Sequence, residues 1–229
     1  MLEFGPRPGP EHVLSDVWAS MAPQQLRVAV AFASEAGART LRSLCPSRGF
    51  DAVPKRWLVG IENGQTQPEA LAYLAELSYS EVRVPHGEKS LGTGSVRAPR
   101  FFHPKVYTYD GDGRRAIVSA SANLTEVGLI RNTEQFMTWT GMPDDAAAAA
   151  FDEWWTATWI TATVVTAEFI TRYVRARPEL QPASSGPAEA PISAPIYETE
   201  PAPSDLKAAD WMWIEAIRSP EGGSRNQLD

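Results

Sequence analysis

The first half of the chain alternates wholly apolar stretches with stretches whose apolar positions recur at helical spacing. In Glu11–Met21 (EHVLSDVWASM), Val13, Leu14, Val17, Trp18 and Met21 fall on one helical face. Gln25–Ala33 (QLRVAVAFA) is β-rich and mostly apolar, which predicts a buried strand. Ser34–Leu44 predicts a short helix with Ser34 as its cap. Arg56–Ile61 (RWLVGI) predicts a second buried strand. Gln67–Leu77 predicts a helix with Pro68 in the first turn, where a missing N–H costs little. Glu81–Val84 is the third strand of the series. Strand, helix, strand, helix, strand is the pattern of an α/β sheet with right-handed crossovers.

The second half reads differently. Phe102–Tyr109 (FHPKVYTY) alternates and runs into Asp110-Gly111, a turn signal, with Arg114–Ser121 (RRAIVSAS) at hairpin distance. Leu124–Val127 is a short helical turn ended by Gly128, and Asn132–Thr140 a further strand. Asp144–Trp159 predicts an alanine-rich helix with a face of Phe151, Trp154 and Trp155. Trp154, Trp155 and Trp159 read as core or dimer packing rather than a base-stacking platform. Ile160–Arg177 continues as a second helix, weakened by its β-branched run.

Composition narrows the class. The chain has 229 residues, 43% of them hydrophobic, which excludes a wholly disordered protein and allows one or two domains. No apolar run approaches the roughly 20 residues of a membrane span. The opening MLEFGPRPGPEH does not read as a signal peptide. Cys45 is the single cysteine, so there is no internal disulfide and no cysteine-based zinc set. The expectation is a soluble cytoplasmic protein.

The formal charge of −7 excludes coating of nucleic acid by uniform basicity. From Pro178 onward nine acids face three bases, so that segment carries −6 and residues 1–177 carry −1. A near-neutral domain can still hold a basic patch over a phosphate. Pro178–Pro203 holds seven prolines among Ala, Ser and Glu and reads as a semi-extended linker. The expected organisation is therefore a domain over 1–177, a linker over 178–205 and a C-terminal fragment over 206–229. Trp211, Trp213 and Ile214 are too apolar for a free tail. That fragment either docks on the core or opens a second domain.

The candidate chemistry lies between residues 103 and 134. His103 and Lys105 sit two apart on a predicted strand and so look the same way. Ser119, Ser121 and Asn123 repeat the spacing on and beyond the next strand. If the hairpin pairs, all five line one surface, and Glu134 starts the strand that follows. Burying such a set for packing alone would be costly. It suits a phosphodiester. A neutral imidazole can attack phosphorus, an ammonium and an amide can hold the non-bridging oxygens, and a carboxylate can fix the imidazole tautomer. A second, protonated imidazole must supply the proton for the leaving oxygen. No metal and no other cofactor is needed for this scheme.

His103-Pro104-Lys105-Val106-Tyr107-Thr108-Tyr109-Asp110 resembles the H-x-K-x4-D signature of the phospholipase D superfamily. Ala120-Ser121-Ala122-Asn123 is similar to that family's G-S-x-N element, with Ala120 in place of the usual Gly. The layout is that of the single-motif, metal-independent nucleases, including type IIS restriction endonucleases. The order of elements agrees over about residues 25–140, and only 103–134 is motif-specific. The resemblance implies a phospholipase D-type mixed β-sheet flanked by helices on both faces. It implies His103 as nucleophile, Lys105 and Asn123 as phosphate ligands with Ser121 assisting, and Glu134 as the acid that orients His103. Asp110 would be structural rather than chemical.

The chain has three histidines, His12, His86 and His103, and only His103 lies in the signature. Family members with two motif copies bring two histidines together in one chain. With one copy the acid must come from another molecule, so an isologous homodimer sharing one site is expected. Trp213-Ile214-Glu215 and Gly222–Asp229 are similar to the opening of a DNA-recognition domain, which makes a separate DNA-recognition subunit a further candidate partner.

The loop Gly87–Arg100 carries Lys89, Arg97 and Arg100 and reads equally as a phosphate-gripping loop or a flexible connector. With Ser119, Lys89 and Arg100 are the candidate substrate ligands. His86 reads as a loop residue, with substrate contact the less favoured alternative. Lys55-Arg56 and Arg114-Arg115 read as solvated strand ends. The expected function is a DNA phosphodiesterase forming a covalent phosphohistidine, in a restriction or defence system and away from membranes. The alternatives are a catalytically silent DNA-binding dimer module and a phospholipid phosphodiesterase.

Overall fold

The computed structural model describes residues 2–4, 10–45, 47–92, 96–97 and 100–177. The expected linker over 178–205 and fragment over 206–229 lie outside the described residues. The short strand β1 (Leu2–Phe4) comes first. The helix α1 (Pro10–Met21) follows, then β2 (Gln25–Val30), α2 (Glu35–Leu44), α3 (Ser47–Phe50) and β3 (Lys55–Val59). Next are α4 (Pro68–Glu76), β4 (Ser80–Val84) and α5 (Gly87–Gly92). The second half supplies β5 (Lys105–Gly111), β6 (Arg114–Ala120), α6 (Glu126–Ile130), β7 (Phe136–Gly141), α7 (Ala146–Thr161), β8 (Thr163–Val164) and α8 (Ala167–Ala176).

The strands form one eight-stranded mixed sheet in the order β1-β7-β6-β5-β2-β3-β4-β8. β2, β3 and β4 run parallel, joined by α2 and α4. β5 lies antiparallel on the other side of β2 and extends into an antiparallel meander through β6 and β7. Helices cover both faces. On one face Val28, Val30, Trp57, Val59, Tyr107, Tyr109 and Val118 join Leu14 and Trp18 of α1, Leu41 of α2 and Leu71 of α4 in the main core. On the other face Ala29 and Leu58 meet Trp155 and Trp159 of α7, together with Phe102.

Several elements begin or end where local chemistry dictates. Ser34 caps α2, its hydroxyl accepting from Gly37 N–H at 3.0 Å. The hairpin turns at Asp112-Gly113 rather than at Asp110-Gly111. Both turn residues have positive φ (50° and 69°), as a two-residue hairpin loop requires. The later turn keeps Asp110 inside β5, directly opposite Arg115. The run expected to form one helix over 160–177 divides instead. Its β-branched segment Thr163–Val164 pairs with β4, and Thr166 caps α8 through Phe169 N–H at 3.1 Å. The first part of the Gly87–Arg100 loop is the helix α5, with Gly87, Ser90 and Leu91 buried.

In each of the two basic pairs read as solvated, one member turns out to be internal, while Arg56 and Arg114 are exposed. Lys55 is buried, its ammonium donating to Phe50 O at 2.7 Å and Val53 O at 2.6 Å, and burial lowers its pKa. It closes the end of α3. Arg115, with Arg27, ties α7 to the sheet. Arg27 reaches Asp152 at 2.6 Å and Asp110 at 3.0 Å, and Arg115 reaches Asp152 at 2.7 Å and Asp110 at 2.5 Å. Arg27 also lies 4.9 Å from the Phe151 ring centroid. Burial alone would push Asp152 up, but the hydrogen bonds from Arg115 and Arg27 hold it below the usual carboxylate range. Breaking such a buried network costs about 3 kcal/mol, somewhat less where a member is partly exposed.

Candidate active site

β2, β5, β6 and β7 bring their ends together at one edge of the sheet. Lys105, the first residue of β5, pairs with Val30, the last of β2. Ala120, the last of β6, pairs with Phe136, the first of β7. The segments just beyond these ends carry Phe32, His103, Ser121, Asn123 and Glu134. The sheet is rigid here because Tyr107 and Tyr109, on the Lys105 side of β5, are fully buried.

His103 lies two residues before β5, outside the strand. Pro104 between them has no N–H to give to a ladder. The residue before it, Phe102, is pinned twice. Its side chain is buried in the cluster that holds Trp155 and Trp159, and its N–H donates to Glu62 Oε1 at 3.3 Å. Glu62 is fully buried, and burial pushes its pKa up. The imidazole itself is exposed and packs edge-on against Phe32, with centroids 5.8 Å apart and planes at 79°.

Lys105 reaches back to this ring. Its Nζ is 2.8 Å from Nδ1, 3.3 Å from Nε2 and 3.3 Å from His103 O. An ammonium has only protons to offer, so it bonds to an unprotonated ring nitrogen. The pKa of His103 is lowered, first by burial and then by the Lys105 charge. Burial also lowers Lys105, against the opposing charge of Glu134. In this contact a neutral imidazole lies beside a cation.

Asn123 is placed by the end of β2. Its Oδ1 accepts Phe32 N–H at 3.2 Å, which leaves the amide N–H groups to point at a ligand. Leu124 N–H donates to Phe32 O at 3.1 Å and Ser34 N–H to Leu124 O at 2.9 Å. This close seam depends on Gly37. A Cβ there would stand 2.3 Å from Leu124 O and 2.4 Å from the Thr125 Cα.

Glu134 is held by two neighbours. Ser121 Oγ donates a short hydrogen bond to its Oε2, and Asn132 Nδ2 donates to Oε1 at 3.1 Å. Ser121 Oγ also accepts from Gln135 N–H at 3.0 Å. The serine hydroxyl thus spends its proton on Glu134. No hydrogen bond between Glu134 and His103 is found among the described residues; its charge acts on Lys105.

The structure therefore gathers His103, Lys105, Ser121, Asn123 and Glu134 at one edge, but not all the residues read as candidates. Ser119 pairs with Val106, so it shares Val106's face, opposite Lys105. The expectation that it lines the same surface is corrected, because strand residues of unlike parity point to opposite sides. Lys89 is on α5, which packs against α8, and Glu88 beside it pairs with Arg172 of α8 at 2.7 Å. Asp110 belongs to the charge network under α7. Arg100 is exposed and lines a groove that reaches His103. Glu62 and Phe32 were not legible as site residues: a glutamate following an apolar strand carries no signal that its carboxylate supports a neighbouring loop.

No protein-family model matches the sequence, and no curated protein matches it either. Solved structures do. Nuc from Salmonella typhimurium, a phospholipase D family member, superposes with a TM-score of 0.51 at 16% identity, covering 73% of this chain and 97% of Nuc. The chain has the phospholipase D fold. NucT from Helicobacter pylori superposes with a TM-score of 0.49 at 15% identity, covering 72% of this chain and 98% of NucT. Phosphatidylserine synthase from Haemophilus influenzae gives 0.49 at 15% identity, covering 72% of this chain and 39% of its own.

Proposed function

We propose that this chain is a phosphodiesterase that cleaves DNA through a covalent phosphohistidine. The observation that carries the reading is the Lys105 ammonium 2.8 Å from a His103 nitrogen, which couples a neutral imidazole to a cation in a shallow, open edge. In the first step a ring nitrogen of His103 attacks phosphorus, forming the N–P bond while the bond to the leaving oxygen breaks. Lys105 turns to the phosphate, and the free N–H group of Asn123 donates to its other non-bridging oxygen. Glu134, braced by Ser121 and Asn132, balances the cation and accepts the ring's remaining N–H once Lys105 has moved. A protonated imidazole gives its proton to the leaving oxygen and then takes one from water, whose oxygen displaces His103 from phosphorus.

The second imidazole is His103 of a second copy, so the active unit is an isologous homodimer with one shared centre. A restriction or defence role, in the cytoplasm and alongside a recognition subunit, fits a nuclease of this kind. The test uses labelled DNA and excess chelator, comparing the wild type with His103→Ala. Chelator-resistant cutting that disappears in the variant, with a labelled protein adduct trapped by detergent denaturation, stable to base and lost in acid, is the expected result. DNA bound but uncut by the wild type would establish the silent module instead. Release of a lipid headgroup without DNA cleavage would establish a phospholipid phosphodiesterase. Sharing of the centre has its own signature. When wild-type and His103→Ala chains are mixed and re-equilibrated, activity should fall as the square of the wild-type fraction; a linear fall refutes the shared site.

A further inference from the structure

Beside the catalytic edge runs a groove of about 630 Å³ between α7 and the face of β5 and β6 that carries Val106 and Ile117. His103 lines it, together with Phe101, Trp154, Arg100 and His86. The face of β5 and β6 is the side opposite Lys105, so the groove is distinct from the phosphate cradle and meets it only at His103. Large aromatic surface is left uncovered here: Phe101 is 55% exposed and Trp154 37%. Their neighbours Trp155 and Trp159 are 3% and 8% exposed and belong to the core. Trp154 is not loose, because its ring lies 3° from parallel with that of Phe102 and rests against Phe151 at 5.7 Å between centroids. A fixed indole with an open surface, in a groove that His103 also lines, has the chemistry of a stacking platform for a base.

We propose that this groove holds an unpaired nucleobase next to the scissile phosphate, stacked on Trp154 and Phe101 with the neighbouring backbone phosphate on Arg100, and that the preferred substrate is single-stranded DNA. The inference rests on the nuclease reading above and sharpens it. Charge and geometry favour a nucleotide over a second copy of the chain: the aromatic walls carry a cation at the rim, and the occupant must lie against the attacking imidazole. A base in an intact duplex is paired and stacked within the helix and cannot enter.

The experiment measures cleavage of one oligonucleotide sequence, single-stranded and as a duplex, by the full chain. The variants are Trp154→Ala, Trp154→Phe and Phe101→Ala. The wild type should show a lower KM for the single strand. Trp154→Ala should raise that KM about tenfold, the usual loss when one base–aromatic stack is removed. Its kcat and its KM for the duplex should stay within about twofold, and Trp154→Phe should recover most of the affinity. A single strand with abasic sites flanking the cleaved phosphate should bind the wild type as weakly as the intact strand binds Trp154→Ala, and should be insensitive to that substitution. Equal KM changes for strand and duplex, or continued sensitivity of the abasic strand to Trp154→Ala, would overturn the proposal. So would loss of the dimer in sedimentation by Trp154→Ala, which would make the groove a subunit interface. If the wild type cuts no DNA, the nuclease reading falls by itself. The groove is then read by fluorescence anisotropy of a labelled single strand, where an unchanged Kd in Trp154→Ala refutes it.

Discussion

The two ends of β5 belong to one short sequence signature and do opposite work. At the first end His103 is exposed, and Lys105 holds its ring by a contact that the proposed attack on phosphorus would break. At the other end, about 17 Å along the strand, Asp110 sits between Arg27 and Arg115, and both arginines also hold Asp152. The odd-numbered end faces the tyrosine core and the site; the even-numbered end faces α7. Contiguity in sequence thus joins an exposed, sparsely held edge to a locked charge network. Stability is concentrated where nothing has to move.

The largest test of this division is His103→Ala. Cleavage should fall by roughly 10³-fold or more, while the unfolding midpoint, read by circular dichroism, should stay within the range of a neutral surface change. A large loss of stability would end the distinction between the two ends. Next comes Lys105→Met, expected to lower kcat by about 10²-fold through lost stabilisation of the phosphate oxygens. It also removes a charge that lowers the pKa of His103. The acid limb of the kcat/KM profile, which reports deprotonation of the nucleophile, should therefore move to higher pH. A limb that stays put or moves down would show that Lys105 does not act on the ring.

Asp110→Asn should do the reverse of His103→Ala. It should cost about 3 kcal/mol in a denaturant titration and leave the activity per folded molecule nearly unchanged. The same network predicts the pH dependence of stability. Asp152 has a depressed folded pKa, so its contribution is present above the unfolded value near 4 and is lost as pH falls through the lower folded value. Asp152→Asn should flatten that acid loss in urea titrations repeated across pH. The smallest effect belongs to Ser119→Ala. Ser119 shares a face with Val106 but does not line the groove beside it, so the change should alter stability by no more than about 0.5 kcal/mol and leave KM alone; a large rise in KM would return this serine to the substrate path.

The parts of the molecule legible in the sequence were those with strong periodicity or obligatory chemistry. The α1 face, the buried strands β2 and β3, Pro68 at the start of α4 and the Ser34 cap all follow from local rules. So does the pairing of His103 with Lys105. The failures arose where tertiary partners chose between local options. Two Asp-Gly pairs follow each other in Tyr109–Gly113, and the hairpin takes the second because Asp110 has Arg115 to meet. Ser119 was placed on the wrong face because a two-residue hairpin loop pairs even positions of one strand with odd positions of the next, so Ser119 stands opposite Val106 rather than Lys105. Trp154, Trp155 and Trp159 look alike in a helix, and only packing separates the exposed one from the two in the core.

The anchored amide of Asn123 bears on more than the proposed cleavage. Its carbonyl oxygen is already engaged by Phe32 N–H before any ligand arrives, so the amide cannot rotate to present oxygen outward. If this amide holds a phosphate as proposed, it spends no orientational freedom on binding it. Exchange of that one nitrogen for oxygen, as in deamidation, would leave the anchoring contact intact and turn a welcoming dipole into a repelling charge. A protein aged in this way would keep its fold and lose its grip.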